Sequence, residues 1–252
     1  MAATRRRRRR RRGRFGFLYK LLSILLILCA VVAGSIVFFR VSEIKVIGEV
    51  VYSDEEIIAA SAVEQGDNLF LIRRVPTGRK ILDQLPYIRE VNLRRMFPDT
   101  VVISVTECAP AAALQGTGDS WWLLDRNCKL LEQGGLELAQ SYPNVIGLDA
   151  LMPAEGDTLA VALEESGKAD ALKQLLGALE DRGMLQQVQS IDLSGMSEIR
   201  MAYEGRFSVR LPVYSDDFSQ LIHTLQESAA WLNAGQTGII DLTGEWARFI
   251  PN

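Results

Sequence analysis

The stretch LLSILLILCAVVAGSIVFF, residues 21–39, decides how the rest of the chain is read. It carries no charge, and Ser23 and Ser35 are its polar residues. At about 1.5 Å per residue, a helix of this length rises roughly 28 Å, close to the thickness of a bilayer's hydrocarbon layer. Lys20 and Arg40 bracket it. Before it stand ten basic residues, Arg5 to Arg12, Arg14 and Lys20, and no acid; after it come Arg40, Glu43 and Lys45. This asymmetry predicts a cytoplasmic polybasic tail over 1–20, a transmembrane helix over 21–39, and residues 41–252 on the outer side. A cleaved signal peptide starts in the same way, and Val31-Val32-Ala33 is an acceptable cleavage site, but the apolar run continues for six residues beyond it. A lipoprotein needs a small residue before its cysteine, whereas Leu28 precedes Cys29. Cys29 reads as a small apolar residue of the membrane helix.

Outward from this segment, charge is divided unevenly. The formal net charge of −3 joins a cationic end to a remainder that holds 18 of the 28 basic and all 31 acidic side chains. With 48% hydrophobic and 23% charged residues, the composition excludes collagen, a mucin stalk and a wholly disordered chain. The arginine run could hold nucleic-acid phosphates. It is short and has no base-reading companion, so attraction to anionic lipid and the setting of topology explain it better, and no nucleic acid is expected.

Beyond the helix, Val41 to Ile47 reads as a strand. Ser53-Asp54-Glu55-Glu56 is a capping box, with Ser53 as the cap and Glu56 reaching back, before a short helix through Ile57, Ile58 and Ala62. Gly66-Asp67-Asn68 is a turn. Thr77 is placed to cap a second helix, Gly78 to Leu85, which Pro86 stops. Ile88–Met96 and Val101–Thr106 read as strands joined by Phe97-Pro98-Asp99-Thr100, the second with alternating burial. The order is β-α-α-β-β, a small α+β module.

From Pro110 the pattern turns β-rich. Strands are expected at 111–114, 121–124, 129–131, 144–148 and 188–193. Leu172, Leu175, Leu176 and Leu179 lie on one helical face that ends before Gly183. Ile199, Met201 and Tyr203 face Leu211, Val209 and Phe207 across a Glu204-Gly205 turn, a hairpin. Phe218, Leu221, Ile222, Leu225, Ala229 and Leu232 form a second helical face, closed at Gly235. Strands 238–242 and 246–250 end the chain. The fold class is α+β: a single N-terminal transmembrane helix, the β-α-α-β-β module, and a mixed β-rich domain with two flanking helices.

Catalytic patterns are scarce. The single histidine, His223, sits beside the apolar face of a helix and reads as a solvated flank rather than a triad member. No His/Cys/Asp group has zinc spacing, and no phosphate loop or G-x-S-x-G is present. Ser42-Glu43-Ile44-Lys45 matches S-x-x-K but lies in a strand and lacks its partner motifs. The pairs Glu55/Glu56, Glu164/Glu165 and Asp216/Asp217 stand at helix starts, where the dipole favours acids. Trp121 and Trp122 point to opposite faces of a strand, so at least one is core. No catalytic, cofactor-binding or metal-binding residue, no cofactor and no small-molecule substrate are expected.

An anchor followed by Val41-Ser42-Glu43-Ile44-Lys45-Val46-Ile47-Gly48, then Gly66-Asp67-Asn68-Leu69-Phe70, Leu82-Asp83-Gln84-Leu85-Pro86-Tyr87-Ile88, Phe97-Pro98-Asp99-Thr100-Val101, Glu107-Cys108-Ala109-Pro110-Ala111-Ala112 and Trp122-Leu123-Leu124-Asp125 resembles the FtsQ/DivIB family of cell division proteins. The likeness is best over 20–131; beyond that it rests on element order and Ile240-Asp241-Leu242. It implies a FtsQ-type POTRA domain over 41–108 and a β domain over 109–250, with 251–252 as the C-terminal end. It also implies a non-enzymatic, single-pass scaffold at the division septum that links divisome proteins of the FtsB/DivIC and FtsL type. In that family the last strands of the β domain receive a strand from the FtsB-type partner, a β-augmentation. The matching positions are Trp246, Ala247, Arg248, Phe249 and Ile250, among which Trp246 and Arg248 are residue types that anchor interfaces. The competing reading is that Trp246 closes the core.

Family members usually carry Arg where Cys108 stands and Gly where Cys128 stands. If 110–114 pairs with 120–124, Cys108 falls near residue 126 and the next turn brings Cys128 close. This allows a Cys108–Cys128 disulfide, worth about 3 kcal/mol in the chain-entropy model, with two free thiols as the preferred reading. The rival functional class is a POTRA-bearing transport or outer-membrane assembly component, for which a downstream β-barrel is expected and not found. A membrane-anchored hydrolase is disfavoured by the missing constellation.

Overall fold

The computed structural model describes residues 15–233 and 235–251, so the Arg5–Arg14 run lies outside the described residues. The apolar run forms α1 (Phe15–Phe38), which begins six residues before Leu21 because Phe15 to Lys20 continue the helical path. Its window Phe17–Gly34 is long and apolar enough to cross a membrane and buries nothing inside the protein. Such a surface is stable only where a non-aqueous solvent covers it.

The chain then makes a three-stranded sheet. β1 (Glu43–Ile47) runs parallel to β3 (Thr100–Glu107), and β3 pairs antiparallel with β2 (Ile88–Met96). As the central strand, β3 buries Val102 as well as Val101, Ile103 and Val105, so its burial does not alternate as expected. Helices α2 (Asp54–Ser61) and α3 (Arg74–Gln84) supply Ile57 and Ile81 to a core that also holds Leu69, Ile88 and Ile103. The capping box forms as predicted: Ser53 Oγ accepts the Glu56 N–H, and Glu56 Oε2 accepts the Ser53 N–H at 2.8 Å. Thr77 does not cap α3. The helix starts one turn earlier, where Pro76 at its third position needs no N–H partner, and the Thr77 N–H already donates to the Arg73 carbonyl.

The second sheet has nine strands in the order β12-β11-β10-β9-β8-β7-β4-β5-β6. They are β4 (Pro110–Gln115), β5 (Trp121–Asp125), β6 (Leu130–Gly134), β7 (Asn144–Ile146), β8 (Val188–Asp192), β9 (Glu198–Tyr203), β10 (Phe207–Pro212), β11 (Gly238–Asp241) and β12 (Arg248–Pro251). A short α4 (Leu136–Ala139) follows β6. The β9–β10 hairpin has the predicted register, with Tyr203 opposite Phe207, Met201 opposite Val209 and Ile199 opposite Leu211.

Two of the parallel pairs, β7 with β8 and β10 with β11, need crossovers, and α5 (Ser166–Asp181) and α6 (Phe218–Trp231) provide them. Leu172, Leu175, Leu176 and Leu179 of α5 meet Phe218, Ile222, Leu225 and Ala229 of α6 in one core under the sheet. A smaller cluster of Cys108, Ala113, Trp121, Leu123, Leu131 and Ala139 occupies a separate position at the β4-β5-β6 end. Trp121 and Trp122 are both core, one in each cluster.

Candidate partner-binding edge

The last strand is held on one side only. β12 pairs antiparallel with β11, Asp241 opposite Arg248 and Ile239 opposite Ile250. That register leaves residues 242–247 as the connecting loop. Asp241 shapes its start: Oδ1 accepts the Thr243 N–H at 3.0 Å and the Thr243 hydroxyl at 2.6 Å, bonds that hold its carboxyl below the usual aspartate range. The strand predicted at 246–250 is therefore shorter at its start. Trp246 and Ala247 lie in the loop, and Arg248, Phe249 and Ile250 lie in the strand. Trp246 is 77% exposed, which removes the reading that it closes the core.

Phe249 seats the strand. It packs on the large core and meets Phe207 edge-on, with centroids 6.2 Å apart. Arg248 and Ile250 are exposed. Gly238, opposite Pro251, lets the strand approach: a Cβ there would strike the Ile250 carbonyl oxygen. Neither Gly238 nor Phe249 stood out as a seat in the sequence. An open groove of about 350 Å3, lined by Ser215, Gln220, Leu221, Thr224, Gly244 and Ala247 among others, adjoins the loop. Among the described residues no backbone hydrogen bond leaves β12 on its outer side. An extended segment laid there would find unpaired N–H and C=O groups, with the exposed Arg248 and Ile250 side chains to select it.

The Cys108–Cys128 bond that the sequence allows is not formed. Both cysteines are free and buried. The β4–β5 register does bring residue 108 toward the β5–β6 turn, but Cys108 joins the small cluster and Cys128 the large core, so the two thiols turn to different interiors. Asp125 lies beside both. Its Oδ1 accepts the N–H groups of Asn127 and Lys129, each at 2.8 Å, and the Cys108 thiol donates to Oδ2 at 3.6 Å. Burial first, then the Asp125 charge, push the Cys128 thiol up to about 12 and raise that of Cys108. Cys128 also holds a left-handed φ of 60°, a conformation that glycine adopts without cost.

His223 sits on the exposed flank of α6, with Nε2 3.5 Å from Glu227 and Nδ1 3.3 Å from Arg182. Glu55 and Glu56 open α2. Glu164 and Glu165 form a 3-10 turn before α5. Asp217 caps α6 by accepting the Gln220 N–H at 3.0 Å. No group of three or more His, Cys, Asp or Glu among the described residues is placed to hold a metal ion.

Comparison with known proteins agrees with this architecture. The family model for the FtsQ-type POTRA domain matches residues 39–107. The chain is 26% identical over 168 residues to the cell division protein DivIB of Clostridium acetobutylicum, covering 66% of this chain and 65% of that one. It is 21% identical over 182 residues to the cell division protein FtsQ of Corynebacterium glutamicum, covering 70% and 72%. With the FtsQ of Syntrophotalea carbinolica it shares 28% identity over 211 residues, covering 81% and 70%.

Proposed function

We propose that the chain is a member of the FtsQ/DivIB family of cell division proteins, which its matches resemble, and that it is a non-enzymatic, membrane-anchored scaffold of the division machinery. Its N-terminus lies in the cytoplasm, its two sheets stand outside the membrane at the septum, and it links partners of the FtsB/DivIC and FtsL type during septum formation. The observation that carries this reading is the one-sided pairing of β12. An edge of this kind offers a template for a partner strand, and the exposed Trp246 beside it offers an anchor.

Depletion of the protein is expected to give filamentous, unseptated cells; normal septation would sink the division role. For the edge itself, Trp246→Ala combined with Arg248→Glu should weaken co-purification of the FtsB-type partner from membranes while leaving the protein's abundance unchanged. Undiminished co-purification would refute the strand assignment.

A further inference from the structure

The end of α1 is built into the first sheet module without a linker. Phe38 is the last helical residue, and Phe39 already bonds to the body: its carbonyl accepts the Leu69 N–H at 2.9 Å. Val41 then exchanges bonds with residues 66 and 67, donating to the Asp67 carbonyl and accepting from the Gly66 N–H, both at 2.8 Å. Ser42 donates to the Asp99 carbonyl at 2.9 Å, which ties in the β2–β3 turn.

Phe39 is also the hub of an aromatic cluster. Its ring is 5.2 Å from Phe38, 4.9 Å from Phe70 and 5.7 Å from Phe97, and Phe70 and Phe97 are 5.6 Å apart. The outer members face solvent: Phe70 is 47% exposed and Phe97 59%, with Leu71 and Met96 beside them in sequence also exposed. Loops normally avoid such residues unless something covers them.

Charge complements this patch. Arg40, Arg73, Arg74 and Arg94 are exposed around it in sequence, and no ion pair among the described residues involves them. Arg95 turns inward instead, donating to the carbonyls of Phe70 and Ile72 at 3.3 and 2.6 Å and so fixing the loop. The neighbouring acids have local partners: Asp67 accepts the Glu64 N–H and Asp99 the Thr100 hydroxyl.

We propose that Phe70, Leu71, Met96 and Phe97 form a collar that sinks into the lipid headgroup layer of the bilayer crossed by α1, with Arg40, Arg73, Arg74 and Arg94 meeting lipid phosphates. The proposal rests on the reading of α1 as a membrane span. A ring cluster continuous with the last residue of such a helix lies at the depth where aromatic side chains are favoured, and the arginines around it meet anionic headgroups there.

The test uses the full chain in phosphatidylethanolamine–phosphatidylglycerol vesicles, with or without acyl chains brominated both near the glycerol end, at the depth of the collar, and near the methyl end, at the depth of Cys29. A bimane label on native Cys29 reports the helix. In a Cys29→Ser background, labels at Leu71→Cys and Met196→Cys report the collar and a distant exposed turn; buried Cys108 and Cys128 are shielded from the reagent. Bromine is expected to remove roughly half of the emission at positions 29 and 71 and none at 196. Quenching at 29 but not at 71 overturns the collar and leaves the anchor standing. No quenching at 29 overturns the membrane span and the collar with it. Equal quenching at 71 and 196 means the whole chain lies on the lipid, which also overturns a localised collar.

Discussion

The two ends of the nine-stranded sheet are treated differently. At one end, the start of β6 and the turn before it are covered by their own chain: the Leu130 N–H donates to the Asp157 carbonyl, the Gly156 N–H donates back to the Leu130 carbonyl, and the Leu159 N–H donates to the Cys128 carbonyl, each at 2.8 Å. Lys129 and Thr158 form a bridge in the same place. At the other end, β12 has no such cover among the described residues. An exposed edge invites unwanted pairing, and the bare strand is the one on which the proposed partner binding is placed. The open strand is also only four residues long and ends in Pro251, which limits how far a wrong partner could extend along it.

Variants at the two ends should separate folding from recognition. Asp125→Ala acts at the closed end, where it strips two N–H groups of a buried acceptor. It should cost about 3 kcal/mol of stability, read by urea unfolding of the solubilised chain. Gly238→Ala acts under the open strand and forces the Ile250 backbone away. A loss of about 2 kcal/mol is expected, with partner binding lost in a protein that still folds. Retained binding would show that the partner does not need β12 in this position. Cys128→Val places a branched side chain at positive φ and should cost about 1–2 kcal/mol without touching the open edge. Ile250→Glu should cost no more than about 1 kcal/mol, because the side chain is nearly half exposed, yet still weaken partner binding.

Alkaline pH sharpens the same contrast. The folded thiol of Cys128 titrates near 12, against an ordinary 9.0, so the fold prefers the protonated form. That stability is fully present below pH 9 and is lost as pH rises from there toward 12. Unfolding midpoints across this range should fall in the parent chain and fall less in Cys128→Ala. An equal slope would remove Cys128 as the cause.

Local chemistry was legible in the sequence wherever a few neighbouring residues decide the outcome. The Ser53–Glu56 box, the Glu204-Gly205 hairpin and the two leucine- and phenylalanine-rich helix faces are of this kind. One miss, Thr77, is local, and the others come from non-local pairing. Thr77 looked like a cap because the pattern before it is charged, but Arg73 to Pro76 already form the first turn. Trp246 looked like strand because it is aromatic, but the Asp241–Arg248 register excludes it. Cys108 and Cys128 are near in register yet belong to different cores, and strand spacing alone carries no information about that. The placement of β7 between β4 and β8 depends on parallel pairings that no turn signal announces.

The clasp at residues 39–41 has a consequence for how a partner is found. On the proposed membrane anchoring, the absence of slack between helix and first sheet module tethers β12 to a slab along the bilayer, where its encounters reduce to a two-dimensional search. A strand borne by another membrane-tethered chain shares that slab, where its effective concentration is on the order of millimolar. On that reading, the four-residue β12 serves as a docking rail whose occupancy is set by how densely such chains gather in the plane.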